Sequence, residues 1–329
     1  MSIFKFLKYI FSIDTKSSNR IIIYVLGIKI RFLKPWIKDS AKEYLKYDCP
    51  ISEIPKATGT LRKIQLANLK ITLLFKELCE QNELRYWLDY GNALGAIRHK
   101  GYIPWDDDID LGMMRDDYEK FIELYKNGIP NHNELYLDFC NNGRNKCFLK
   151  IRHKNLVNIA IDIFPYDYYY KKTTKEEKYE ITQNIDKYMH FNSLIYRLLQ
   201  PLYIHSNALM RKRISKIRDK VILKCNTPKP EDKPSIVYGM DYPHLVKPIL
   251  YDYETIFPLG TIEYEGFTMN CPNNMHEFLT QIYGDYMTLP NDCYPRHANS
   301  EGFQGESEKI LDNFIFDLNI LGKEGFNEC

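Results

Sequence analysis

The longest regular alternation of apolar and polar positions lies between residues 58 and 82. Its apolar side chains recur near the 3.6-residue spacing of an amphipathic helix, and Thr58 or Thr60 can cap the amino end. Shorter stretches alternate or are apolar throughout, which is typical of strands. These predicted strands are residues 85–89, 135–139, 147–151 and 157–163, and further short strands fall within 261–269.

Polar residues at fixed spacings predict where several helices begin. Asp116 and Glu119 have the spacing of a capping box, and so do Thr174 and Glu177. Because strands and helices do not alternate over long stretches, we expect an α+β fold with a mixed or mostly antiparallel sheet flanked by helices. Asn274, with Glu277 three residues later, predicts the start of a helix, and the Pro-rich stretch 227–234 predicts a loop. The predicted helices are about 93–98, 116–126, 174–199, 206–224 and 274–282.

Residues 1–38 form a basic segment with eight Lys and Arg residues against a single acid, Asp14. Within it, residues 4–11 form a short amphipathic basic stretch and residues 21–30 predict a strand. Both are far shorter than the ~20 apolar residues of a membrane-spanning helix. A basic amphipathic end can bind an anionic membrane surface, or it can pack on the domain as an extension. We interpret residues 1–40 as a basic leader for which both placements stay open.

Overall charge and cysteine usage exclude some classes of protein. A net charge of +2 over 329 residues lacks the electrostatic footprint of a general nucleic-acid binder. The eight Cys residues contain no C-x-x-C pair and no Cys/His cluster at zinc spacing. They are typical of reduced thiols. We therefore expect a cytoplasmic protein, for which peripheral contact at the inner face of the membrane is one of the two open placements of the basic leader.

Four aspartates crowd into five positions at 106–110. Two such charges about 5 Å apart repel by roughly 3 kcal/mol at an effective dielectric constant near 20. Acidic runs are usually solvated loops, but apolar residues flank this one, and buried acids are costly unless they are paired or bind metal. If 109–113 is a strand, Asp108 and Asp110 share one face with Cα atoms roughly 6–7 Å apart. Such a pair is suited to Mg²⁺ and a phosphate substrate.

A glycine turn precedes these acids, and a third acid follows them. The order of strand, Gly91 turn, helix start and paired acids is typical of polymerase-β-like nucleotidyltransferases, in which backbone N–H groups, here near Gly91 and Asn92, face phosphate. Asp162, a single acid in an apolar strand, is the candidate third metal ligand and proton acceptor. A buried acid that caps a turn is the alternative interpretation of Asp162, and Asp167 is a weaker candidate for the same role.

Basic residues flank both acidic segments. Lys150 and Arg152 lie two positions apart on one predicted strand, a spacing that suits a pyrophosphate. Arg98 ends the helix predicted at 93–98, and His99 follows it in the loop that leads to the acids. We predict phosphate contacts for all four, with surface charges, or simple packing for His99, as the alternative.

Several separated motifs occur in an order that resembles the LicD family, bacterial phosphocholine transferases that are similar over the same core to fukutin and fukutin-related ribitol-phosphate transferases. The resemblance covers roughly residues 60–297. It is carried by YWLDYGNALGAIRHKGYIPWDDDIDLGM, then FLKIR, IDIFPYD, IFPLGTIEYEGFTMNCPNN and YGDYMTLP.

The resemblance implies a nucleotidyltransferase-like fold and a set of site residues. By position, Asp108, Asp110 and Asp162 match the metal-binding acids, and Gly91 and Asn92 match the glycine turn. The later YGDY motif implies acceptor or base contacts by Tyr283 and Tyr286, with a helix end and core tyrosines as the alternative, and His297 matches a family histidine only loosely. It further implies Mg²⁺ or Mn²⁺ as the cofactor.

The implied function is transfer of phosphocholine, or a similar phospho-alcohol, from a CDP-linked donor to a hydroxyl of a cell-surface glycan such as capsule or lipopolysaccharide, with release of CMP. Nucleotidyl transfer to a small molecule or protein is an alternative, and a metal-dependent DxD glycosyltransferase is another. A fold member that only binds nucleotide or glycan is disfavoured because all three acids are present. We divide the chain into the leader at 1–40, a catalytic core at 58–170, a helical insertion with the Pro-rich loop at 171–234 and a C-terminal elaboration at 235–329.

Overall fold

The computed structural model describes residues 11–14, 20–25, 28–33, 51–139, 148–156, 158–169, 233–238, 249–287, 303 and 305–320. Within these ranges the strands are β1 (Phe11–Asp14), β2 (Arg20–Val25), β3 (Ile28–Leu33), β4 (Tyr86–Leu88), β5 (Asp110–Met114), β6 (Leu135–Phe139), β7 (Leu149–His153), β8 (Ala160–Tyr169), β9 (Ser235–Tyr238), β10 (Leu250–Tyr251), β11 (Gly260–Tyr264) and β12 (Phe267–Cys271). The helices are α1 (Gly59–Gln81), α2 (Tyr90–His99), α3 (Arg115–Tyr125), α4 (Tyr253–Ile256), α5 (Met275–Tyr283) and α6 (Glu306–Ile320), and Ile51–Glu53 form a 3₁₀ turn.

The largest sheet is mixed, as predicted, and β8 is its central strand. On one side β8 pairs with β5, and this pairing is parallel. On its other side the first half of β8 pairs antiparallel with β7 and the second half with β9. Strands β4, β6 and β10 extend the sheet by antiparallel pairing. Helices flank this sheet, so the α+β, nucleotidyltransferase-like class expected from the sequence is confirmed.

The burial of β8 explains its central position. Every residue from 161 to 167 is buried, as expected for a strand that is covered on both faces. Two acids, Asp162 and Asp167, interrupt this apolar run. An acid in such a strand needs a partner, and the partners of these two residues differ.

Helix α1 confirms the strongest periodic signal of the chain. It covers Gly59–Gln81 and buries apolar side chains along one face, among them Ile64, Leu69 and Phe75. The same helix also buries four polar residues, Arg62, Gln65, Asn68 and Thr72. Helix α6 packs against α1, and Lys70 Nζ of α1 donates a hydrogen bond of 2.8 Å to the carbonyl oxygen of Phe314.

Of two predicted helix caps, the structure confirms one and contradicts the other. The Asn274 side chain caps α5, because its Oδ1 accepts a hydrogen bond of 3.1 Å from the backbone N–H of Glu277. The capping box at Asp116 and Glu119 is wrong, because α3 begins at Arg115 directly after β5 and its N-cap residue, Met114, makes no side-chain cap hydrogen bond. Strand β5 therefore continues into α3 without a residue between them.

Three further boundaries differ from the sequence predictions. Strand β5 begins at Asp110, so Asp108 lies in the preceding loop and not on the strand. Helix α2 begins at Tyr90 and therefore includes the glycine turn. The single strand predicted at 21–30 is instead an antiparallel hairpin of β2 and β3, with β1 paired to β2. The helices predicted at 174–199 and 206–224 and most of the Pro-rich loop lie outside the described residues.

The pairing of β4 with β5 makes Gly112 sensitive to substitution. Gly112 lies opposite the buried Trp87, and a Cβ atom at Gly112 would come within 2.4 Å of the indole Nε1. We expect Gly112→Ala to lower the free energy of unfolding by about 1–3 kcal/mol through overpacking. Urea unfolding would measure this loss. Gly260→Ala is the control because its Cβ would meet Cys271 Sγ at an ordinary 3.4 Å, and equal stability of the two variants would contradict the prediction.

Candidate active site

Asp89 fixes the start of α2 next to the central strand. Its buried carboxylate caps the helix by accepting a hydrogen bond of 2.9 Å from the N–H of Tyr90. The Tyr166 hydroxyl on β8 donates to both Asp89 oxygens, at 3.0 and 2.8 Å. Burial raises the pKa of Asp89 to about 7, although these hydrogen bonds oppose the rise. Sequence reasoning passed over Asp89, although an acid directly before a glycine-containing helix start is a recognisable capping signal.

Gly91 allows the acidic loop to approach the first turn of α2. A Cβ atom at Gly91 would lie 2.9 Å from Oδ2 of Asp106. The preceding residue, Tyr90, has a left-handed φ of 36°, so the backbone turns sharply into the helix here. The structure thus brings the predicted glycine turn and the acidic cluster together at the positive end of α2.

The aspartates at 106–108 (the acidic loop) form a compact group. One carboxylate oxygen from each of Asp106, Asp107 and Asp108 lies within 4.8 Å of the others. Asp107 is buried, and its two neighbours are half-buried. Asp108 is a predicted metal ligand and its two neighbours are not, because the convergence of three adjacent residues depends on the loop backbone, which the sequence does not specify.

Asp110 and Asp162 lie side by side across the parallel pair β5 and β8, where they are register partners. Lys150 of β7 is the register partner of Asp162 on its other side, and its Nζ donates a hydrogen bond to Asp162 Oδ1. Removal from water raises the pKa of Asp110 well above its ordinary value, and the charges of Asp108, Asp162, Asp89 and Asp106 raise it further. The structure therefore pairs Asp110 with Asp162 and places the charge of Asp108 close enough to affect Asp110, but the oxygens that converge within 4.8 Å are those of Asp106, Asp107 and Asp108.

The chemistry of this cluster fits a divalent cation. Its donors are carboxylate oxygens, the hard ligands that Mg²⁺ and Mn²⁺ prefer. Burial disfavours the ionised form of Asp110, the charges of the neighbouring carboxylates disfavour it further, and a bound cation would oppose both effects. These aspartates could hold a metal ion.

The alternative acid, Asp167, has a structural role. Arg115 of α3 forms two hydrogen bonds to it, from Nε to Oδ1 at 2.9 Å and from Nη2 to Oδ2 at 2.9 Å. This bidentate pair fastens α3 to β8. It leaves Asp162 as the β8 acid at the site.

The predicted phosphate-binding side chains occupy different surroundings. Lys150 contacts Asp162, whereas Arg152, two residues along β7, donates from Nε to Asp138 Oδ2 at 2.7 Å. Arg98 and His99 lie in the last turn of α2, at the opposite end from Gly91. Arg98 is buried there, and the ring of His99 packs edge-on against Trp105.

The YGDY motif lies at the end of α5. Gly284 follows the helix with a φ of 69°, which confirms the expected tight helix end. Tyr283 is exposed, and the Tyr286 hydroxyl lies 3.0 Å from His276 Nδ1. The Tyr286 carbonyl oxygen accepts a hydrogen bond of 3.4 Å from Arg98 Nη1, which joins this motif to α2. Base or acceptor contacts by the two tyrosines stay predictions, and His297 lies outside the described residues.

Comparison with known proteins shows the family of the chain. A family model described as LicD/FKTN/FKRP, nucleotidyltransferase domain, matches residues 83–204. The chain is 30% identical to the lipopolysaccharide cholinephosphotransferase LicD of Haemophilus influenzae over 265 residues, which cover 72% of this chain and 96% of that protein. The chain belongs to the LicD family. An uncharacterized protein of Rickettsia typhi is 32% identical over 124 residues, which cover 36% of this chain and 40% of that protein.

A shorter match connects this LicD family member with an animal protein. The human ribitol 5-phosphate transferase FKRP is 56% identical over 34 residues, or 10% of this chain and 7% of that protein. The matched segment is too small a part of either chain to assign the function of one protein to the other. Together with the longer match, it confirms the family resemblance that the motifs indicated.

Two site residues of this LicD family member lie outside the segment that the family model matches. Gln65 and Asn68 of α1 donate hydrogen bonds to backbone carbonyls of the acidic loop. Sequence reasoning missed both residues, although two carboxamides at helical spacing among buried apolar positions are an unusual pattern.

Asn92 also has a role that sequence reasoning did not predict. Its side chain donates to the Asp108 carbonyl oxygen at 3.2 Å and to the Tyr264 hydroxyl at 2.9 Å, and it accepts from the Asp110 N–H at 2.6 Å. These intramolecular bonds give it a role in holding the acidic loop. A phosphate contact by Asn92 stays a prediction.

Among the described helices, none has a stretch that is both long and apolar enough to cross a bilayer.

Proposed function

We propose that this LicD family member transfers a phospho-alcohol group, such as phosphocholine, from a CDP-activated donor to a hydroxyl of a cell-surface glycan and releases CMP. As a member of the family, the chain is a phosphotransferase. The names of both characterised relatives describe transfer of a phosphorylated alcohol. The observation that carries the proposal is the register pairing of Asp110 with Asp162 beside the acidic loop and the first turn of α2.

The proposed reaction is a displacement at the phosphorus that bears the alcohol. The glycan oxygen forms a new bond to this phosphorus, while the bond to the bridging pyrophosphate oxygen breaks and CMP leaves with the electron pair. The proton of the glycan hydroxyl passes to the Asp162 carboxylate. A divalent ion, Mg²⁺ or Mn²⁺, held by Asp108, Asp110 and Asp162 would neutralise charge on the pyrophosphate.

Other side chains orient the donor in this proposal. The first turn of α2 faces the pyrophosphate with the Gly91 N–H and the positive end of the helix dipole, because the N–H groups of Tyr90, Asn92 and Ala93 already donate to Asp89.

Lys150, already at Asp162, brings a positive charge to the reacting phosphate. Arg152 contributes a further phosphate contact, and the YGDY tyrosines stack on the cytosine or line the acceptor cleft. Arg98 and His99 lie at the other end of α2 from Gly91, where Arg98 donates to the Tyr286 carbonyl oxygen and His99 packs on Trp105.

We place the enzyme in the cytoplasm, with the basic leader at the anionic inner face of the membrane. The eight Cys residues, with no C-x-x-C pair, support a reducing compartment. In this arrangement the leader would hold the active site near membrane-linked glycan acceptors.

The proposal predicts one productive donor among the CDP-alcohols. The full chain is incubated with Mg²⁺ and, in turn, CDP-choline, CDP-ethanolamine, CDP-glycerol or CDP-ribitol, with and without a glycan acceptor. CMP release should favour one donor, rise with acceptor, stop with EDTA and return with Mg²⁺ or Mn²⁺. Mass spectrometry should find the phospho-alcohol on the glycan.

The same assay separates the alternative functions. A nucleoside monophosphate on the acceptor would indicate nucleotidyl transfer, and turnover of a UDP-sugar control would indicate a glycosyltransferase. Either result, or CMP release that is insensitive to EDTA, would contradict the proposal.

A further inference from the structure

Three carboxamide side chains hold the backbone of the acidic loop, one for each aspartate. Gln65 Nε2 donates to the carbonyl oxygen of Asp106 at 2.8 Å. Asn68 Nδ2 donates to that of Asp107 at 3.1 Å, and Asn92 Nδ2 donates to that of Asp108 at 3.2 Å. Three consecutive carbonyl groups are thus fixed by neutral donors.

The two carboxamides on α1 are buried and have partners at both ends. Gln65 and Asn68 are 0% and 1% exposed, so each would be costly without its hydrogen bonds. Gln65 Oε1 accepts a bond of 3.1 Å from Arg62 Nη1. Asn68 Oδ1 accepts a bond of 3.0 Å from the N–H of Ala160, two residues before Asp162. Asn68 therefore links the acidic loop directly to the strand that carries Asp162.

The chemical type of these donors matters for the site. A Lys or Arg at either position would place a fixed positive charge beside the aspartates and compete with a bound cation. An amide satisfies the carbonyl group without adding a charge to the site. The oxygens of the acidic loop converge within 4.8 Å while its carbonyls are held in this way.

We propose that Gln65 and Asn68 are positioning residues for a divalent cation: by holding the carbonyl groups of Asp106 and Asp107, they fix the backbone that carries the proposed ligand Asp108. This inference rests on the cation site of the proposed function. Removal of a side chain that orients a metal-binding residue typically weakens metal binding by about 10–100-fold. A residue that served the fold alone would change stability without a selective change in metal affinity.

The test measures Mn²⁺ binding to the full chain by electron paramagnetic resonance, without substrate. Gln65→Met and Asn68→Leu remove the donor at nearly constant volume, and we expect Mn²⁺ dissociation constants raised by about 10-fold or more. Thr72→Val is the matched control, because the buried Thr72 hydroxyl donates to the Asn68 carbonyl oxygen within α1, at 2.8 Å. Its Mn²⁺ affinity should stay within about 2-fold of wild type.

Activity provides a second readout. In the CMP-release assay the two donor-deletion variants should need more Mn²⁺ for half-maximal rate and recover much of the wild-type kcat at saturating Mn²⁺. If Asn68→Leu does not fold, Gln65→Asn provides the test. This variant keeps the amide but shortens the side chain by one methylene, which moves the amide nitrogen away from the Asp106 carbonyl oxygen.

Asp110→Asn in the same titration separates the two proposals. If wild type does not bind Mn²⁺, or if Asp110→Asn binds Mn²⁺ as tightly as wild type, the proposed cation site is wrong. If Asp110→Asn weakens binding but the Gln65 and Asn68 variants bind Mn²⁺ like Thr72→Val, the positioning role is overturned and the cation site stands.

Discussion

Replacing Asp110 by Asn is expected to slow phospho-alcohol transfer by about 10³-fold or more, because several kcal/mol of transition-state charge stabilisation would be lost with the cation site. Asp110 lies between Asp162, its register partner, and the acidic loop. Asn keeps the size of the side chain but removes the negative charge. Asp162→Asn should cause a similar loss, since it also removes the proton acceptor and the partner of Lys150.

The stability of the Asp110 variant should change in the opposite sense. Burial and neighbouring carboxylates hold the pKa of Asp110 well above its ordinary value, so its ionised form opposes folding when no cation is bound. In EDTA, Asp110→Asn should therefore unfold at the same or a higher urea concentration than wild type. A loss of activity with unchanged or improved stability would distinguish a functional acid from a structural one.

Rates of CMP release and urea unfolding curves measure both parts of this prediction. Asp116→Asn is the matched control, because this aspartate is exposed in the first turn of α3 and lies outside the acidic cluster. It should keep near wild-type activity. If the rate of Asp110→Asn stays within about 10-fold of the wild-type rate, Asp110 lowers the activation free energy of transfer by less than ~1.4 kcal/mol, and the prediction is wrong.

Features set by local chemistry could be predicted from the sequence. Helix α1 follows from its apolar period, and the α5 start follows from the Asn274 side chain, which bonds a residue only three positions away. The Asp116–Glu119 spacing was equally regular, yet it failed because β5 runs directly into α3, so the N-cap position falls on Met114, which makes no side-chain cap hydrogen bond. A capping signal needs a free N-cap position as well as the right spacing.

The interior of the site depended on contacts between distant residues. Spacing could select Asp110 and Asp162 as candidates, but their pairing depends on the register of two strands that are about fifty residues apart. Asn68 bonds one residue of the acidic loop and one of β8. No local pattern specifies such a bond, so the amides that hold the acidic loop emerged only from the fold.

A second large effect is expected at Glu265, far in sequence from the acids. Glu265 lies in the turn between β11 and β12, and its side chain is only 1% exposed. Arg62 of α1 donates to both its oxygens, at 3.2 and 2.7 Å, and Lys56 Nζ donates to Oε2 at 2.8 Å. The N–H of Tyr102 donates to Oε1 at 3.1 Å. One carboxylate thus joins a hairpin, α1 and the segment that leads into the acidic loop.

The segment next to Glu265 has little room for rearrangement. A Cβ atom on Gly101 would lie 2.4 Å from Glu265 Oε1, so the carboxylate packs directly on this backbone. The N–H of Glu265 also donates to the Lys100 carbonyl oxygen at 2.8 Å. Burial alone would raise the pKa of Glu265, but the hydrogen bonds and charge of Arg62, together with Lys56, outweigh it and lower the pKa below its ordinary value of 4.5.

We therefore expect Glu265→Gln to reduce the free energy of unfolding by about 3–5 kcal/mol, because it leaves the buried Arg62 without its counter-charge. Urea unfolding at pH 7 measures this loss. Glu254→Gln is the matched control, since Glu254 pairs with Lys233 where both side chains are more than half exposed, and such pairs contribute about 0–1 kcal/mol. A loss at Glu265 no larger than at Glu254 would refute the prediction.

The pH dependence gives this prediction a sign. Because the pKa of Glu265 is lower in the folded state than its ordinary value of 4.5, the ionised carboxylate stabilises the fold at pH values above 4.5. That contribution disappears as the pH falls through the folded-state pKa. The difference in stability between wild type and Glu265→Gln should therefore be full at pH 7 and shrink below pH 4.5. A difference that stays constant over this range would assign the loss to packing of the amide and not to the charge of the carboxylate.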